Sequence, residues 1–140
     1  MIDSIALARD FHATTQRDFA RGPILVVEDD QDIRESIAEV LRDEGHEAWT
    51  AAHGAEALAL LRRAGCPVPR LILLDLMMPV MNGWEFRAEL SKDALLASIP
   101  IVVLSGDARI TGKAAELRAA GALAKPVSIT GLLEVVGQFG

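Results

Sequence analysis

A chain of 140 residues fits one domain, and at that size a single core can be buried without covalent staples. It is 51% hydrophobic but only 4% aromatic, so the core must be built mainly of Leu, Val, Ile and Ala. A net charge of -6, with no basic run longer than Arg62-Arg63, argues against nucleic-acid or anionic-membrane binding, and the single Cys66 excludes an internal disulfide or a thiolate zinc centre.

No apolar run approaches the roughly 20 residues of a membrane span. The N-terminus lacks the basic start and apolar block of a secretory signal, so a reduced, cytoplasmic setting is expected. Residues 1–22 stand apart as an N-terminal arm. Met1 to Phe11 reads as a short helix capped by Asp3 or Ser4. The arm is expected either to fray or to dock, through Phe11 and Phe19, on the domain or on a second copy in a homodimer.

The domain then runs over 23–140. Pro23 opens a doubly buried strand, Ile24 to Val27, which ends in three acids, Glu28, Asp29 and Asp30. Gln31 to Glu44 is a helix with Ile33, Ile37, Val40 and Leu41 on one face, closed by Gly45. Glu47 to Ala51 is a short strand, and Gly54 to Ala64 an Ala/Leu helix stopped by Gly65 and Pro67. Leu71 to Leu74 is the most apolar strand, and Asp75 ends it. The turn residues Met78-Pro79 and Asn82-Gly83 follow, then a helix from Trp84 to Leu96 with a break near Asp93. Asp75 lies too far ahead of that helix to cap it. Pro100 to Leu104 is a fourth strand ending at Ser105. Thr111 to Ala120 is a helix ended by Gly121. Ala122 to Ala124 is a fifth strand ending at Lys125-Pro126, and Ile129 to Phe139 is the last helix.

Alternation of apolar strands and helices implies an α/β fold, a parallel sheet with helices on both faces. The polar residues of interest all fall at carboxyl ends of strands: Glu28, Asp29 and Asp30, then Asp75, Ser105 and Lys125. Open α/β sheets bind ligands at that edge. Each residue alone has a bland explanation: a solvated helix start, a cap, a turn serine, a surface lysine. Their convergence on one edge does not.

Carboxylates held together need a cation, and oxygen-only ligands without histidine suit Mg²⁺ rather than zinc or iron. Lys125 supplies a positive charge for an anion, and Ser105 can hydrogen-bond its oxygens. The set suits Mg²⁺ and a phosphoryl group, with Asp75 as a carboxylate nucleophile. No Walker sequence and no G-x-G-x-x-G occurs. His12, His46 and His53 lie away from the functional strand ends, where a solvated surface role is the default.

From about Gly22 to Gln138 the chain resembles a response-regulator receiver domain of two-component signalling. The resemblance rests on Ile24-Leu25-Val26-Val27-Glu28-Asp29-Asp30, Leu73-Leu74-Asp75 through Asn82-Gly83, Val103-Leu104-Ser105-Gly106 and Lys125-Pro126. It implies a flavodoxin-like, three-layer doubly wound sheet of order 2-1-3-4-5. It implies that Asp75 accepts a phosphoryl group from a histidine kinase or a histidine phosphotransfer protein. Asp29 would bind Mg²⁺ directly and Glu28 through water, with the Asp75 carboxylate and the Met77 backbone carbonyl completing the protein's share. Ser105 would follow the phosphoryl group and Lys125 pair with it. Lys125–Pro126 would be cis. The first helix, near Ile33 and Arg34, and the loop after Lys125 would form the kinase-docking face.

Two departures stand out. Receivers usually carry Tyr or Phe three residues before the lysine; here that residue is Ala122, and the chain has no tyrosine. The Ser105–Lys125 stretch is about two residues short against the family's usual spacing, with the deletion expected around Gly121. The usual hydroxyl-and-aromatic switch is therefore not expected in its ordinary form. Two alternatives follow: an interaction module working without phosphorylation, and an Asp-dependent phosphatase. The second needs an acid two residues after the nucleophile, where this chain has Met77.

Overall fold

In the computed structural model, residues 22–63, 67–78, 81–106, 112, 115 and 117–139 are described. The expected arm, with Phe11 and Phe19, lies outside them except for Gly22, and so does Cys66. The strands are β1 (Ile24–Val27), β2 (Ala48–Ala51), β3 (Leu71–Asp75), β4 (Ile101–Ser105) and β5 (Gly121–Ala124). The helices with defined bounds are α1 (Gln31–Asp43), α2 (Gly54–Leu61), α3 (Gly83–Leu90), α4 (Ala94–Ala97) and α5 (Ile129–Gly137). Within the helix expected over 111–120, Gly112, Ala115 and Leu117 are helical, and most of the rest lies outside the described residues.

All strand pairs are parallel and the sheet order is β2-β1-β3-β4-β5. This is the expected 2-1-3-4-5 order. The period-two alternation of each strand divides the core into two layers. Leu25, Val27, Ile72, Leu74, Ile101 and Val103 face Leu58 of α2 and Phe86 and Leu90 of α3. Ile24, Val26, Leu71, Leu73, Val102 and Leu104 face Ile37 and Leu41 of α1 and Leu132 and Val136 of α5. β1, β3 and β4 are therefore buried on both sides, which is why they read as continuous apolar runs.

Several boundaries differ from expectation for local reasons. α1 ends in a paired-bond cap: Gly45, at φ 92°, donates to Arg42 O, and His46 N donates to Leu41 O. Only a glycine enters that left-handed geometry without strain. The helix expected over 84–96 is two helices. Asn82 caps α3, and Asp93 Oδ1 accepts from Leu95 N and Leu96 N to start α4. α2 ends at Leu61 rather than running to Ala64. Gly121, expected in a shortened loop, is the first residue of β5 and pairs with Val102.

Candidate functional site

The order of the sheet reverses at β1: the chain runs from β1 outward to β2, then crosses back to β3 on the other side. The crevice between β1 and β3 is where such sheets take ligands. Val27 pairs with Leu74, so Glu28 and Asp75 come next on adjacent strands and stand level at the carboxyl edge. Asp75 pairs with Leu104 and Ser105 with Ala124, which steps Ser105 and then Lys125 along the same edge.

Glu28, Asp29 and Asp75 present carboxylate oxygens that all lie within 4.8 Å of one another. Glu28 is fully buried, Asp75 nearly so, and Asp29 faces solvent. Lys125 Nζ sits 2.7 Å from Glu28 Oε1 and 3.5 Å from Asp75 Oδ2. Lys125 thus holds Glu28 Oε1, and Oε2 accepts from Asp30 N at 3.1 Å. Asp75 Oδ1 accepts from Met77 N at 3.2 Å. Ser105 is buried at the end of β4, and its carbonyl accepts from Lys125 N at 2.9 Å. The Lys125–Pro126 bond is cis.

The third acid has a different job. Asp30 Oδ1 accepts from Ile33 N at 3.0 Å and caps α1. Arg34, expected on a docking face, turns inward and donates from a guanidinium nitrogen to the Glu28 carbonyl at 2.9 Å. His53 caps α2 through Nδ1, and the His46 ring meets the Arg70 guanidinium, so neither is merely a solvated surface group. His12 lies outside the described residues. The cap at Asn82 was readable from its Glu three residues on. The inward reach of Arg34 has no sequence signature.

Burial in this crowded pocket raises Asp75 to about 7. The hydrogen bond shared with Asp29 and the charge of Glu28 add to it, with Lys125 opposing. Burial would raise Asp29 too, but its hydrogen bonds with Asp75 and Glu28 outweigh that and hold it below the usual carboxylate range. Burial likewise works against a charged Lys125, yet its contacts with Glu28 and Asp75 push its titration upward.

The donor set fits a hard divalent cation. All ligands are oxygens, and three carboxylates face one ammonium, so the group carries excess negative charge. Glu28, Asp29 and Asp75 are the residues that would hold it.

Comparison with known proteins agrees with this fold. The family profile of the response regulator receiver domain matches residues 24–137. Protein PilH of Pseudomonas aeruginosa is 30% identical over 115 residues, covering 81% of this chain and 93% of that protein. The DNA-binding response regulator MtrA of Mycobacterium tuberculosis is 40% identical over 88 residues, but only 36% of its length is covered. Among solved structures, the chemotaxis response regulator CheY4 of Vibrio cholerae superposes with a TM-score of 0.75 at 32% identity, covering 84% of this chain and 98% of that one.

Proposed function

We propose, for a chain that belongs to the response regulator receiver domain family, that Asp75 accepts a phosphoryl group from a histidine kinase or a histidine phosphotransfer protein in the cytoplasm. The observation that carries this reading is the group of Glu28, Asp29 and Asp75 with Lys125 Nζ set between Glu28 and Asp75. An Asp75 oxygen attacks phosphorus, the P–N bond to the donor imidazole breaks, and its electron pair leaves with the imidazole nitrogen. Asp29, Asp75 and the Met77 carbonyl, with Glu28 through water, would hold Mg²⁺, which would supply charge neutralisation at the phosphoryl oxygens. Lys125 leaves Glu28 to pair with the phosphoryl group, and Ser105 hydrogen-bonds it. The residues thus supply positioning and charge, and the turnover of the aspartyl phosphate is self-catalysed hydrolysis or onward transfer.

A groove of about 250 Å³ beside the site suits the donor protein. Ile33, Ile37, Pro126 and Val127 give it an apolar lining, with Asp32 and Lys125 also on its wall. A second reading, partner binding without phosphorylation, is favoured by Ala122, a small and half-buried residue where the family carries an aromatic ring.

Intact-protein mass after incubation with acetyl phosphate and Mg²⁺ tests the two. The expected result is one phosphoryl adduct, lost in EDTA and in Asp75→Asn. No adduct under any condition would reject the phosphoacceptor reading in favour of the second.

A further inference from the structure

The two acids that precede α1 are only as well placed as the short turn that carries them. Glu28 lies one residue past the last paired position of β1, and α1 starts at Gln31. The turn is tied on the sheet side by Glu28 N donating to Ala51 O at 3.1 Å. It is tied to the helix by Ile33 N on Asp30 Oδ1 and by Arg34 N on Asp30 O at 2.9 Å. The Glu28 carbonyl is met by the Arg34 guanidinium at 2.9 Å, across six residues of chain. Helical side chains lean toward the helix N-terminus, so a long side chain one turn inside α1 reaches back over the strand end. Among the described residues the guanidinium makes this bond to a backbone oxygen and no ion pair with an acid.

We propose that Arg34 is a positioning residue for the cation: it fixes the peptide between Glu28 and Asp29 and thereby sets the divalent-metal affinity of the acidic pocket. The inference rests on the pocket being a Mg²⁺ site. It makes a prediction of definite sign, because two effects oppose. As a nearby cation, Arg34 repels Mg²⁺, and its removal should tighten binding by charge alone. As a clamp on the ligand-bearing turn, its removal should weaken binding, since partners that orient metal ligands are worth about tenfold or more in affinity.

Arg42 provides a matched control. It lies on the same helix and donates to the Ala48 carbonyl at 2.7 Å, at the opposite edge of the sheet. The experiment follows the backbone amide resonances of Glu28, Asp29 and Asp30 in the full chain during Mg²⁺ titration. Wild type, Arg34→Met, Arg34→Lys and Arg42→Met are compared. The expected result is a dissociation constant raised about tenfold in Arg34→Met, partly restored in Arg34→Lys, and unchanged in Arg42→Met. An unchanged or lowered constant in Arg34→Met overturns the inference, as does an equal rise in Arg42→Met. Should Arg34→Met not fold, Arg34→Gln takes its place and is judged by the same criteria. A wild type with no saturable response overturns the reading of the pocket itself, which distinguishes that failure from a failure of Arg34.

Discussion

At the scale of single residues, burial sets the ionised form of Asp75 against the metal-free fold. Its carboxyl is raised from the ordinary 3.8 to about 7, so the folded chain holds that proton when the unfolded chain has lost it. The stabilisation this gives is complete below about pH 4 and is lost as pH rises through about 7. Asp29 acts with the opposite sign, and its contribution disappears as pH falls below the usual carboxylate range. Urea unfolding in EDTA should therefore show wild-type stability declining between about pH 4 and 7. Asp75→Asn should flatten that decline and be more stable at pH 8 by on the order of 1–3 kcal/mol. Added Mg²⁺ should narrow the gap, because a bound cation stabilises only the chain that retains the third carboxylate. A variant less stable than wild type in EDTA would refute the charge argument.

At the scale of elements, the start of α3 is fastened to the residue that follows Asp75 at the sheet edge. Asn82 and Glu85 cap α3 reciprocally, Asn82 Oδ1 accepting from Glu85 N and Glu85 Oε1 from Asn82 N. Gly83 N donates to Leu76 O at 3.0 Å, drawing the helix start against the residue after Asp75. A Cβ on Gly83 would lie 2.6 Å from Leu76 Cδ2 and 3.1 Å from Leu76 Cα. The glycine is there for close approach. Gly83→Ala should cost about 1–3 kcal/mol in thermal unfolding, and it should slow acetyl phosphate labelling by moving Leu76 and its neighbour Asp75. Asn82→Ala, which removes the cap but leaves the space, should cost about 1 kcal/mol. If the two variants behave alike, close packing at Gly83 is not what holds the turn.

At the scale of the whole molecule, small and protein phosphodonors should separate. On the proposed reading acetyl phosphate would need only the acidic crevice, whereas a phosphohistidine protein would also cover the groove lined by Ile33 and Val127. Ile33→Glu should slow transfer from the protein donor by roughly tenfold or more while leaving acetyl phosphate labelling at the wild-type rate. Equal loss of both would mean that the substitution damages the pocket rather than the docking face. The α/β class, the apolar strands and the edge at which Asp75, Ser105 and Lys125 gather could be read from the chain, because burial on both faces writes strands as apolar runs. The break at Asp93 was legible for a related reason: capping depends on residues close in sequence. The particular job of Asp30 was not: the resemblance sets it just outside the Glu28–Asp29 pair, and the structure shows it capping α1. Nor was the seating of Lys125 on Glu28 at 2.7 Å, or the reach of Arg34 to the Glu28 carbonyl. Local pattern encodes which face of an element is buried; long flexible side chains choose among several near partners, and that choice depends on how β1, α1, β3 and β5 pack.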